Sequence, residues 1–281
     1  MKNKFHTIVT DLDGTLLNNK SEITALNKSI LQKAMNSGIQ LIIATGRRFY
    51  SANRFASYFD GIVEVISNNG QILRLSPSGE RIQANYIKEN IAKTIIMEGR
   101  KFHYTPILHV DEYESGLDII TEFKKEDTVY LNYTNNKRER CMEIEDITSH
   151  NLNRVTIICF FSNNISDLYE FDKKISPLIT GFGLRTIITT IHKIGPCMEI
   201  ILENVSKWSG VLEFIKRREY SPEGVIAFGD EANDLELIKN AGLGVAMKNS
   251  VDSILKNAKL ISKYSNDEDG VGKTLLDLEV I

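Results

Sequence analysis

The opening of the chain alternates short apolar runs with amphipathic ones, and that alternation constrains the fold more than any other feature. Phe5-His6-Thr7-Ile8-Val9-Thr10 is short, β-branched and bounded by polar residues, which predicts a buried strand. After a Gly-containing loop, Ile23, Leu26, Ile30, Leu31 and Ala34 fall on one helical face, with Gly38 as a stop signal. Ile39 to Ala44 is a second strand and runs into Thr45-Gly46-Arg47-Arg48. A further helical stretch leads to a third strand, Ile62-Val63-Glu64-Val65-Ile66, and then to Asn68-Asn69-Gly70. Strand, helix, strand, helix, strand at this spacing predicts βαβ units and a parallel sheet.

The same grammar resumes near the C-terminus. Val225-Ile226-Ala227-Phe228 is a buried strand, followed by Gly229-Asp230 and a helix through Leu235, Leu237 and Ile238. Leu243 to Ala246 and Lys259 to Ser262 predict two more strands. Between about Ala84 and Thr190 the texture changes. Charge-rich stretches read as helical (Glu114 to Lys125) mix with strands such as Val155 to Phe161 and a polar run, Asn135-Asn136-Lys137-Arg138. The expected fold is therefore α/β, with a Rossmann-like, three-layer parallel-sheet core interrupted by an inserted α+β domain. No internal repeat or low-complexity segment is evident.

Composition narrows the class. The chain has 281 residues, which suggests two domains, and a core that large needs no disulfide or metal staple. A formal net charge of −3 argues against a dedicated nucleic-acid binder, which would normally carry a strong basic excess. Cys141, Cys159 and Cys197 form no C-x-x-C pair, as expected of reduced thiols. No run approaches a membrane span, and Met1-Lys2-Asn3-Lys4 leads at once into a strand, with no room for a signal peptide. The expectation is a cytoplasmic protein with no membrane or nucleic-acid partner, and a monomer, since nothing suggests a large self-complementary apolar surface.

Four polar clusters carry the chemistry, each placed at or near the end of a predicted strand. The first is Asp11-Leu12-Asp13-Gly14-Thr15-Leu16, directly after the first strand, where ligands bind in open parallel sheets. One of two carboxylates so close together can act as a nucleophile and the other can shuttle a proton. Their like charges call for a hard divalent cation, and Mg²⁺ suits oxygen-only ligands. Gly14 permits the turn, and nearby backbone N–H groups can hold phosphate oxygens. An Asp-rich turn alone is also ordinary structure.

The second cluster, Thr45-Gly46, offers a hydroxyl beside a glycine N–H, either a phosphate clamp or a plain turn. Arg47 and Arg48 can neutralise substrate charge or simply face solvent. In the third, Ser206 is a candidate N-cap that sets Lys207 at a helix N-terminus, where an anion is welcome. In the fourth, Gly229-Asp230-Glu231-Ala232-Asn233-Asp234, the side chains of Asp230, Asn233 and Asp234 can face one point across a helical turn; helix capping is the plainer alternative. The conjunction of all four on one sheet edge favours a site.

In this order the clusters resemble the four motifs of the haloacid dehalogenase superfamily, and within it the Cof-type phosphatases with a type II (IIB) α/β cap. Asn69-Gly70, Ala241-Gly242-Leu243-Gly244-Val245-Ala246-Met247 and Asp269-Gly270-Val271 add to the resemblance. It implies a core of residues 1–83 and 191–281 and a specificity cap of residues 84–190. It implies that Asp11 becomes an aspartyl phosphate, that Asp13 protonates the leaving alcohol and then activates water, and that Lys207 assists. Leu12, Thr45, Gly46, Lys207 and Asn233 would hold the phosphoryl group. Asp11, the backbone carbonyl of Asp13, and Asp230 would bind Mg²⁺, with Asp234 supporting the metal and orienting Lys207. One departure is Trp208, where the family has glycine; it reads as a core or interface anchor.

The implied activity is hydrolysis of small phosphomonoesters such as sugar phosphates. The insertion would act as a lid, with His103, Tyr104, His109 and Arg140 as candidate contacts that can equally be structural. Three other readings remain: a sugar-phosphate mutase or phosphotransferase, a phosphate-accepting receiver module, and a phosphatase-derived binding protein with little turnover. Dehydrogenase and P-loop readings fail for want of G-x-G-x-x-G and G-x-x-x-x-G-K-[ST].

Overall fold

The computed structural model describes residues 5–135, 137–191 and 194–281. Met1-Lys2-Asn3-Lys4 and Asn136, on which two of the sequence readings fall, lie outside the described residues. The chain divides into two compact units, Met1–Ala84 with Val205–Ile281, and Asn85–Asn204.

The first unit opens with β1 (Thr7–Thr10), α1 (Ala25–Asn36), β2 (Gln40–Ala44), α2 (Phe49–Ala56), β3 (Val63–Ser67), β4 (Ile72–Ser76) and β5 (Arg81–Ala84). The second unit contains α3 (Glu89–Lys101), β6 (Ile107–Glu112), β7 (Leu117–Thr121), α4 (Thr128–Tyr133), β8 (Cys141–Glu143), β9 (Val155–Phe161), α5 (Ile165–Thr180), β10 (Leu184–Ile191) and β11 (Gly195–Leu202). The chain then completes the first unit with α6 (Lys207–Arg217), β12 (Val225–Gly229), α7 (Leu235–Asn240), β13 (Leu243–Ala246), α8 (Asp252–Leu255), β14 (Leu260–Ile261) and α9 (Gly270–Asp277).

In the first unit the strand order is β14-β13-β12-β1-β2-β3-β4-β5. β1 pairs in parallel with both β2 and β12, and only β4 and β5 run antiparallel to their neighbours. All four residues of β1 are buried, as a parallel strand covered on both faces requires. The order turns back on either side of β1, which opens a crevice at the carboxyl ends of β1, β2 and β12. On one face, α6 and α7 pack Trp208, Val211, Phe214, Ile215 and Leu237 against Val9, Ile42, Ala44 and Ile66. Trp208 is thus a core anchor, 6% exposed.

The second unit is a six-stranded sheet in the order β10-β11-β9-β6-β7-β8, antiparallel except for β7 with β8. Leu108, Ile120, Ile158 and Phe160 on one face pack with Ile95 of α3 and Phe171 of α5. Ile119, Ile157 and Cys159 on the other face pack with Tyr130 of α4.

Two sequence expectations are corrected here. Glu114 to Lys125 is not one helix: a single 3-10 turn, Tyr113–Ser115, ends at Gly116 with φ 80°, and Leu117–Thr121 then forms β7, buried along its length. Its Asp118 is buried as the bidentate partner of Arg140 (2.8 and 2.9 Å), so a charged residue sits inside a strand and blurs the pattern. The second boundary falls at 204/205 rather than 190/191, because β11 pairs along its whole length with β10 and also with β9. A cut at 190/191 would split that hairpin. No helix among the described residues is long and apolar enough to cross a membrane, and all three cysteines are free thiols.

Candidate active site

The site lies where β1, β2 and β12 of the first unit end. The Asp11 N–H donates to the Phe228 carbonyl at 3.1 Å, which ties the end of β1 to β12. The chain then curls through Leu12–Leu16, with Gly14 at φ 72°, in the left-handed region that glycine enters without strain. A Cβ at Gly14 would also overlap the Asp230 carboxylate. Two bonds fix this loop: Thr15 Oγ1 donates to Asp230 Oδ1 at 2.6 Å, and Asn249 Nδ2 donates to the Gly14 carbonyl at 2.8 Å. The Leu12 side chain is buried, so only its backbone is available to a ligand.

Lys207 is the first residue of α6, behind a Ser206–Ser209 capping box. Its ammonium donates to Asp11 Oδ1 at 2.8 Å and to Asp234 Oδ1 at 2.7 Å, and its side chain is 1% exposed. Asp234 is held by the backbone N–H groups of Asp230 and Glu231 at 3.0 and 3.2 Å. Oxygens of Asp11, Asp230 and Asp234 lie within 4.8 Å of one another.

The electrostatics follow from burial. Desolvation raises Asp11 to about 7; Lys207 opposes the rise, while Asp234 and Asp230 add to it. Desolvation likewise raises Asp230 to about 6, opposed by the Thr15 hydrogen bond and reinforced by Asp234. For Lys207, burial acts downward but is outweighed by Asp11 and Asp234, and the net shift is upward. Three clustered carboxylates and one ammonium leave a negatively charged pocket of hard oxygen donors, which suits a divalent cation such as Mg²⁺.

Asp13 stands apart from that cluster. Its side chain is 56% exposed and accepts from Arg47 through Nε at 2.6 Å and Nη2 at 2.5 Å. The Arg47 guanidinium also lies 5.2 Å from the centroid of the Phe55 ring. Thr45 is buried, and its Oγ1 accepts the Arg47 backbone N–H at 3.1 Å, which leaves the hydroxyl proton to donate. Gly46 is backed by two carboxamides: a Cβ there would lie 3.1 Å from Asn69 Oδ1 and 3.7 Å from Asn233 Nδ2. Asn233 Nδ2 itself donates to Asn69 Oδ1 at 3.0 Å.

All the residues singled out in the four clusters thus lie in one unit. Sequence reasoning missed three contributors: Thr15 as the partner of Asp230, Arg47 as the clamp on Asp13, and Asn249, which no local pattern connects to Gly14. In the second unit, Tyr104 stacks near Phe160 and Phe171, His109 Nε2 meets the Tyr133 hydroxyl at 2.7 Å, and Arg140 holds Asp118. These three belong to that unit's framework. His103 lies on an exposed turn at φ 61°.

The sequence pattern of the haloacid dehalogenase-like hydrolases matches residues 8–275. A protein of Buchnera aphidicola (subsp. Acyrthosiphon pisum) with a provisional phosphatase name is 29% identical over 282 residues, 96% of this chain and 95% of that one. The 5-amino-6-(5-phospho-D-ribitylamino)uracil phosphatase of Bacillus subtilis is 27% identical over 95% of this chain and 93% of its own. Among solved structures, a haloacid dehalogenase-like hydrolase from Bacteroides thetaiotaomicron superposes with a TM-score of 0.80 at 25% identity, covering 98% of this chain and 100% of the other.

Proposed function

The chain belongs to the haloacid dehalogenase-like hydrolases, and on that premise we propose that it is a Mg²⁺-dependent phosphatase of small phosphomonoesters that works through an aspartyl phosphate on Asp11. The observation that carries this reading is the buried Lys207 ammonium, held between Asp11 and Asp234 at the carboxyl end of β1. A nucleophilic carboxylate needs a neighbouring positive charge that also meets the incoming phosphoryl oxygens, and in this reading Lys207 would supply both.

In the proposed reaction an Asp11 oxygen attacks phosphorus and the bond to the leaving alcohol breaks. Lys207, the Thr45 hydroxyl, the backbone N–H groups of Leu12 and Gly46, and the Asn233 carboxamide hold the non-bridging oxygens. Phosphoryl transfer asks chiefly for such positioning and charge neutralisation. Asp13 donates a proton to the leaving oxygen and later takes one from the water that hydrolyses the aspartyl phosphate, restoring Asp11. Asp11, the Asp13 carbonyl and Asp230 would hold Mg²⁺, which when bound supplies further neutralisation of the phosphate charge. Asp234 fixes Lys207.

The second unit is the segment proposed to choose the leaving group, and the substrate a small phosphorylated metabolite. The Bacillus subtilis relative, by its name, acts on a compound of that kind. The proposed setting is the cytoplasm, with the chain as a monomer. The test is release of inorganic phosphate from a panel of sugar phosphates, nucleotides and pyridoxal phosphate, with Mg²⁺, with EDTA, and with Asp11→Asn. Release that requires Mg²⁺ and vanishes in Asp11→Asn supports the proposal. No release from any ester by the folded protein points to the mutase or binding readings.

A further inference from the structure

Asn68, Asn69 and Gly70 follow β3 with φ of 51°, 55° and 104°, three consecutive residues in the left-handed region. Asparagine adopts that conformation more readily than most residues, but a run of three is held only where its surroundings dictate it. The surroundings here are the polar loops of the site. The N–H groups of Asn68 and Asn69 donate to the carbonyls of Arg47 and Thr45 at 3.0 and 3.1 Å. Gly70 lies against the start of α6, where a Cβ would overlap the Ser206 carbonyl. The Asn69 side chain reaches the fourth cluster, accepting from Asn233 Nδ2 at 3.0 Å while lying against Gly46.

We propose that Asn69 is a positioning residue of the phosphate site, a role that rests on the phosphatase reading above. A carboxamide on a short turn can rotate freely, and a rotated Asn233 would present its carbonyl to an anion. Asn69 Oδ1 engages one N–H of Asn233, which fixes the carboxamide with its nitrogen, 3.7 Å from a Cβ built at Gly46, toward that glycine and leaves the second N–H of the same nitrogen to donate to a phosphoryl oxygen. The left-handed turn is the device that brings Asn69 to this place. A residue restricted to φ below zero would carry its side chain elsewhere.

This role acts through Asn233, which separates it from a purely structural one. Asn69→Gly keeps the turn, since glycine enters the left-handed region freely, and deletes only the carboxamide. The experiment compares wild type, Asn69→Gly, Asn233→Ala and the double variant. Thermal midpoint, kcat and KM for p-nitrophenyl phosphate, and the Kd of inorganic phosphate are measured for each. Asn69→Gly is expected to keep its thermal midpoint and to weaken phosphate binding and raise KM by about tenfold, with a smaller change in kcat. In the Asn233→Ala background, Asn69→Gly is expected to add nothing.

Unchanged KM and Kd in Asn69→Gly overturn the proposal. So does an equal loss in both backgrounds, or a loss that tracks a fallen thermal midpoint, because each assigns Asn69 a role independent of Asn233. A wild type that binds inorganic phosphate but hydrolyses no ester sinks the phosphatase reading alone; the Kd comparison then decides the role of Asn69. A folded wild type that does neither overturns both.

Discussion

Lys207 Nζ and Asp11 Oδ1 are 2.8 Å apart, and the two side chains are 1% and 7% exposed. Asp234 completes the arrangement from the other side at 2.7 Å. Removing one partner of a buried pair leaves the others uncompensated. Lys207→Met is therefore expected to lower kcat by at least about a hundredfold. It should also cost about 3–5 kcal/mol of stability, readable by denaturant unfolding. A variant with near-normal kcat would remove Lys207 from the reaction.

Arg47 holds Asp13 by two parallel hydrogen bonds, yet Asp13 is largely exposed. An exposed pair contributes little to stability but can fix a carboxylate in place. Arg47→Lys keeps the charge and loses the fork, so it should lower kcat by about tenfold while shifting stability by less than about 1 kcal/mol. Steady-state kinetics and a melting curve on one preparation check both halves.

Gly14 at φ 72° faces the Asp230 carboxylate, which receives the Thr15 hydroxyl. In Gly14→Ala the left-handed backbone alone costs about 1–2 kcal/mol, and the new methyl must push Asp230 aside. Activity and stability should fall together, and Mg²⁺ should raise the melting temperature less than in wild type. Equal Mg²⁺ protection in both proteins would contradict the placement of Asp230 at the metal.

Glu199 in β11 lies opposite Cys159 of β9 and Ile187 of β10, and burial raises its carboxyl above the ordinary 4.5. Stability linked to an acid raised in the folded state is fully present below the unfolded value and is lost as pH rises through the folded one. Glu199→Gln cannot ionise and is expected to be more stable than wild type above neutral pH. The advantage should close as pH drops below 4.5. Melting curves at about pH 4 and about pH 8 check the sign.

The parallel core was legible because its evidence is local. Val225–Phe228 is apolar and β-branched, and Asp11-Leu12-Asp13-Gly14 carries its turn chemistry within a few residues. β7 was not, because Asp118 looks solvent-seeking until Arg140, 22 residues away, is seen to neutralise it. The edge of the inserted unit lies beyond the expected 190/191 because a strand's partner cannot be read from the strand itself: nothing within Gly195–Leu202 names β10 and β9 as its neighbours. The same holds within the site. The four clusters announced themselves by composition, whereas the bond from Asn249 to Gly14 spans 235 residues and leaves no trace in the sequence near either one.

The most direct test of the account asks whether phosphate is carried on Asp11. The protein is mixed with a hydrolysed phosphomonoester and Mg²⁺, quenched in acid, reduced with borohydride, and digested for peptide mass spectrometry. An acyl phosphate on Asp11 is reduced to the alcohol, so homoserine should appear at position 11 in wild type and be absent from Asp11→Asn. Turnover that leaves Asp11 unmodified, or reduction at another carboxylate such as Asp230, would contradict the account.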